Sequence, residues 1–138
     1  MEIILAENYG FCYGVKRAVE MADEAANSEG KSYTLGPIIH NPQVVGRLES
    51  KGVSPIQEVA DIDEGTMIIR SHGVGPAIYA EAEEKGLHIL DATCPHVKKA
   101  QQDAKSVIED GMTLVILGEK NHPEVKSINL WANNRGII

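Results

Sequence analysis

ILDATCPHVKK (residues 89–99) ends an apolar run at an aspartate, sets a cysteine at position 94 and follows it at once with Pro95. Proline is favoured at the first position of a helix, where its missing N–H is no loss. The stretch therefore reads as strand, corner, helix, with Cys94 at the N-cap. Two other stretches repeat the form. GEKNHPEVK (118–126) places His122 directly before Pro123, and LGPIIHNPQ (35–43) places His40 two residues before Pro42. A chain that keeps turning from short apolar runs into proline-opened helices is building β–α units, and short connections between such units imply a parallel sheet with right-handed crossovers.

Outward from this corner the same alternation continues. Ile3-Ile4-Leu5-Ala6 reads as a buried strand. Val15, Ala18, Val19, Ala22 and Ala26 recur at helix spacing, with Lys16, Arg17, Glu20, Asp23 and Glu24 off the stripe, and Gly30 closes that helix. SYTLG (32–36) is a strand, and NPQVVGRLESKG (41–52) is a helix capped by Asn41, opened by Pro42 and closed by Gly52. Met67-Ile68-Ile69 is a strand, GPAIYAEAEEKG (75–86) a helix and HILDAT (88–93) a strand. Val97, Ala100, Ala104, Val107 and Ile108 mark a helix face ending before Gly111. Leu114-Val115-Ile116-Leu117, unbroken and apolar, reads as a strand covered on both faces. The predicted fold class is α/β, with parallel sheets and flanking helices. The seam near Asp91 divides it into one complete unit, residues 1–91, and the first part of a second, residues 92–138. The closing NNRGII stops on an apolar pair, as if at the start of a strand, which predicts that the chain is a fragment.

The composition sets outer bounds. A chain of 138 residues with 43% hydrophobic and 24% charged residues is globular, and a net charge of −7 offers no general basic face for nucleic acid. The N-terminus resembles neither a secretory signal nor an Arg-rich transit peptide. No run approaches the roughly 20 apolar residues of a membrane span. The expectation is a cytoplasmic protein without nucleic-acid or membrane partners, whose two cysteines form no structural disulfide.

The chemistry-bearing residues gather at one kind of position. Cys12 lies between the first predicted strand and the first helix, and His40, His72, Cys94 and His122 occupy corresponding corners. In a parallel sheet, strand-to-helix corners line the carboxyl rim, where ligands bind. Helix starts there present free N–H groups, which favour a thiolate as metal or cluster ligand and suit phosphate oxygens. Gly10, Gly14, Gly73 and Gly75 allow the backbone to come close to such a ligand. Taken singly, each residue has a plainer reading: a cysteine as a small buried apolar side chain, a loop histidine as a solvated one. Recurrence at five corners favours a shared site. His88 reads as a strand residue, His96 has only its nearness to Cys94, and Lys98-Lys99 is a solvated helix face.

GFCYGVKRA, LGPIIHNPQVV, RSHGV, DATCPHV and GEKNHPEV, in this order and spacing, resemble the 4-hydroxy-3-methylbut-2-enyl diphosphate reductase (LytB/IspH) family over all 138 residues. The resemblance implies three α/β units around a central 4Fe–4S cluster. It also implies reductive removal of an allylic hydroxyl to give isopentenyl and dimethylallyl diphosphate, the last step of the non-mevalonate pathway, with a donor such as ferredoxin or flavodoxin. Carried over by motif, Cys12 and Cys94 would be two cluster ligands, His40, His72 and His122 would bind the diphosphate, and Glu124 would deliver protons. The third cysteine of the family is absent from this chain, so the fragment alone is expected to be inactive. Ser127 and Leu130 stand where the family commonly has glycines, and His96 where an aromatic is frequent. Two rival readings of the residues remain beside this one: a zinc enzyme with a mixed Cys/His site, and a truncated α/β segment with vacant corners.

Overall fold

The computed structural model describes residues 1–7 and 9–138. Central to it is a four-stranded, wholly parallel sheet. Its strands are β1 (Ser32–Leu35), β2 (Val53–Ile56), β3 (Thr66–Ile69) and β4 (His88–Asp91), in the spatial order β2-β1-β3-β4. Helices α1 (Tyr13–Ala26), α2 (Pro42–Ser50), α3 (Pro76–Glu84), α4 (Pro95–Glu109) and α5 (Pro123–Trp131) surround it, with a short 3-10 turn over Val59–Asp61. The predicted α/β class with a parallel sheet and flanking helices is the observed one.

Strand β3 sits inside the sheet, and its alternation divides the core. Ile68 faces Ala18, Val19, Ala22 and Ala25 of α1 together with Leu48 of α2. Met67 and Ile69 face the other way, onto Val59, Ala82 of α3 and Leu87. All three β3 residues are fully buried, as the period-two geometry of a doubly covered strand requires. A third, smaller cluster of Ala104, Ile108 and Ala132 joins α4 to α5.

Two predicted strands do not form among the described residues. Ile3-Ile4-Leu5-Ala6 has no ladder partner, and Ile3, Ile4 and Leu5 are 75%, 83% and 77% exposed. Leu114–Leu117, expected to be covered on both faces, makes only one parallel bridge, between Val115 and Ile137, and Leu117 is fully exposed. Apolar runs supply strand propensity, but a strand exists only where a neighbour takes up its N–H and C=O groups. Conversely, β2 forms where the sequence reading places no strand, and Pro55 lies within it. Proline is tolerated there because β2 lies at the edge of the sheet. No described helix is long and apolar enough to cross a membrane.

Candidate functional site at the carboxyl rim of the sheet

From β1 the chain runs through α2 to β2 on one side; from β3 it runs through α3 to β4 on the other. The crevice between the carboxyl ends of β1 and β3 is therefore a topological switch point, where open α/β sheets bind ligands. His40 follows β1 and His72 follows β3, and their ring centroids lie 4.7 Å apart. His122, at the N-cap of α5, stands 5.9 Å from His40 and 5.5 Å from His72. One ring nitrogen from each lies within 4.8 Å of the other two. A cleft of about 220 Å³ opens beside them, lined in part by Phe11, Val15, His40 and His72.

Local chemistry fixes each corner. The Asn41 side chain accepts a hydrogen bond from Val44 N at 3.1 Å and Pro42 opens α2, so the helix begins just beyond His40. Ser71 donates to the Ile38 carbonyl through both its N–H (3.4 Å) and its hydroxyl (3.3 Å), tying the β3 corner to the β1 corner. Gly73 turns the chain at φ +71°, and a Cβ there would come within 2.9 Å of Thr93 Cγ2. A larger residue after His72 would be both strained and crowded.

Burial and charge shape the electrostatics of the cluster. Burial, and then the positive charges of His40, Arg70 and His122, lower the His72 pKa from 6.5 to about 4. His72 Nδ1 and Arg70 Nε are buried without a hydrogen-bond partner. An anion entering here would meet the Arg70 guanidinium as a donor without a partner of its own among the described residues. His122 Nδ1 accepts from Glu124 N at 3.3 Å. In the neutral ring the proton then resides on Nε2, which makes that nitrogen a donor.

Both cysteines are free, and both stand at helix N-caps with no side-chain capping bond, Cys12 on α1 and Cys94 on α4. Gly14, two residues after Cys12, packs on Cys94. It is buried against Cys94, such that a Cβ on it would collide with Sγ and lie 2.9 Å from the Cys94 Cβ. Cys94 N donates to the Ser71 carbonyl at 2.9 Å, which anchors the thiol corner beside His72.

Of the residues picked out from sequence, the structure brings His40, His72 and His122 into one cluster and seats the α1 start, which carries Cys12, on Cys94. Three of the five lie at strand-to-helix corners of the sheet. Among the described residues, Cys12 and His122 occupy helix N-caps with no formed strand before them, which corrects the five-corner expectation. The reason is the one that removed their strands. Glu124 is half-buried in the first turn of α5. His88 and His96 are exposed. Arg70 and Arg17 escaped sequence reasoning. Arg70 simply follows a strand; Arg17 lies three residues after Gly14, on the same helix face, and that spacing was its one available signal.

Fold and site together define an α/β protein with three clustered histidines at the switch point of a parallel sheet and two free cysteines at helix N-caps. The chain belongs to the LytB protein family, whose model matches residues 3–138. Relatives from Pelobacter propionicus and Geotalea uraniireducens, each named 4-hydroxy-3-methylbut-2-enyl diphosphate reductase, are 56% and 52% identical over 138 residues. These matches cover 100% of this chain and 49% of each relative, so the chain spans about half the length of the curated relatives it matches. Two solved structures agree. One is described as (E)-4-hydroxy-3-methyl-but-2-enyl diphosphate reductase, the terminal enzyme of the non-mevalonate pathway; it has a TM-score of 0.83 at 48% identity, covering 98% of this chain and 50% of that one. The other is the E-1-hydroxy-2-methyl-but-2-enyl-4-diphosphate reductase from Plasmodium falciparum, with a TM-score of 0.90 at 32% identity, covering 96% and 42%.

Proposed function

We propose that this chain carries the diphosphate cradle and two of the cluster thiolates of a 4-hydroxy-3-methylbut-2-enyl diphosphate reductase. The observation that carries the reading is the convergence of His40, His72 and His122 at the switch point beside Cys94. In it, the three imidazoles hold the diphosphate, with His122 Nε2 donating. Soft, free thiols at two helix starts suit iron–sulfur ligation, so Cys12 and Cys94 fit two ligand positions of a 4Fe–4S cluster whose third cysteine is not in this chain. Such a cluster, when bound, passes electrons singly and polarises an oxygen. Glu124, next to a phosphate-binding histidine, hands a proton to the departing hydroxyl, without which carbon–oxygen cleavage is unfavourable. The balance is two electrons and two protons taken up and one water released per isopentenyl or dimethylallyl diphosphate formed. A small electron-transfer protein such as ferredoxin or flavodoxin supplies the electrons in the cytoplasm.

The division into units 1–91 and 92–138, within a three-unit whole, belongs to the same proposal. The parallel Val115–Ile137 bridge supports it as the beginning of a second sheet. Anaerobic purification followed by iron and sulfide analysis and an absorbance scan at about 400 nm tests the metal identity. Iron and sulfide with a brown chromophore are expected once a third thiolate is supplied; a colourless, zinc-bearing protein would overturn the reading.

A further inference from the structure

We infer that Arg17 and Asp91 are positioning residues that fix Cys94 relative to Cys12. The inference rests on the proposed role of these two thiols. Arg17 projects from α1, one turn beyond Gly14, and its guanidinium donates to two main-chain carbonyls of the Cys94 corner, Thr93 O at 3.2 Å and Asp91 O at 3.4 Å. The helix that starts at Cys12 thus grips the turn that ends at Cys94. Asp91 holds the same turn from the inside. Its carboxylate, only 18% exposed, accepts from Thr93 N at 2.9 Å and from the Tyr79 hydroxyl at 2.9 Å, and pairs with Lys98 at 2.6 Å. Four points from α1, α3, α4 and the turn itself therefore converge on residues 91–93. Burial alone would raise the Asp91 pKa, but the bonds from Lys98, Thr93 and Tyr79 outweigh it and hold the carboxyl below its usual range, so the clasp is charged at neutral pH.

A merely structural tie would stabilise the fold without bearing on the thiols, and the chain provides a built-in comparison. Lys85 donates to the carbonyls of Val59, Ala60 and Ile62 in a similar clasp remote from either cysteine. The test reacts the 138-residue chain, metal-free and reduced, with a short bis-alkylating reagent that carries two halide leaving groups, and follows Cys12–Cys94 bridging by mass spectrometry. Alkylation of each single thiol and the melting temperature are recorded alongside. Arg17→Met and Asp91→Asn are expected to slow bridging by about 10-fold with single-thiol alkylation little changed, Arg17→Lys to restore part of the rate, and Lys85→Met to lower the melting temperature without changing bridging. Equal bridging in Arg17→Met, Asp91→Asn and wild type, or a slowing matched by Lys85→Met, overturns the inference. So does failure of the wild-type thiols to bridge. Should Arg17→Met not fold, Asp91→Asn decides. Because no iron is present, these outcomes are independent of the iron and sulfide analysis that tests the cluster itself.

Discussion

His72 should behave as a proton-linked sensor of the anion it is proposed to bind. Its pKa is lowered to about 4 against 6.5 for an ordinary histidine, chiefly through burial and then through His40, Arg70 and His122 nearby. At about 1.36 kcal/mol per pH unit the full difference corresponds to about 3.4 kcal/mol, and partial exposure of the ring trims this to about 2 kcal/mol. The sign follows from a depressed folded-state value. Above pH 6.5 the ring is neutral in both states and no stability is lost. As the pH falls from 6.5 towards 4, the unfolded chain takes up a proton that the folded chain refuses, and stability drops. Urea melts at intervals across that window should show the loss in the wild type and a smaller one in His72→Gln, while NMR titration of the His72 ring reports the pKa itself. Inorganic diphosphate should then reverse the electrostatics, raising the His72 pKa by at least one unit and binding more tightly as the pH falls. A ring that titrates near 6.5 without ligand, or one that diphosphate leaves unmoved, would refute the reasoning.

Three further outcomes are expected. Gly14→Ala gains about 1 kcal/mol of helix propensity but overpacks Cys94 at a cost of about 1–3 kcal/mol; a denaturant midpoint below wild type, partly restored by Cys94→Ala, is the signature of that contact. Ile68→Ala, at a fully buried position in the middle of the sheet, should lower unfolding free energy by about 2–5 kcal/mol in urea melts. Glu124→Gln, made in the chain extended to full family length, should lower turnover by about 100-fold or more with the cluster spectrum and diphosphate affinity retained; turnover like wild type would remove Glu124 from the proton route.

The parts legible in the sequence are those set by local rules. Pro42, Pro76, Pro95 and Pro123 each open a helix where expected, and the Asn41 cap is in place. The short apolar runs at β1, β3 and β4 form strands because each finds a neighbour on the sheet. What the sequence withheld depends on distant partners. Ile3–Ala6 and Leu114–Leu117 have strand composition equal to that of β3, yet among the described residues they lack strands to pair with. The Arg17 clasp joins residues 74 and 76 positions apart, and nothing local in VKRA announces it. The same holds for the contact of Gly14 with Cys94: the glycine could be flagged as permissive, but not what it makes room for.

The four strands of the sheet all lie between residues 32 and 91, and every ladder closes within that span. This has a consequence for synthesis. During elongation the sheet can fold while later residues are still being added, since none of its hydrogen-bonded neighbours is downstream. His40 and His72 would face each other before His122 exists. Fifty residues separate His72 from His122, which at about 5–20 residues per second is about 2.5–10 s of translation. For that interval the cradle has two walls and no third, so the nascent sheet must reach its fold on its own ladders and apolar burial, with ligand capture deferred until α5 has emerged and docked.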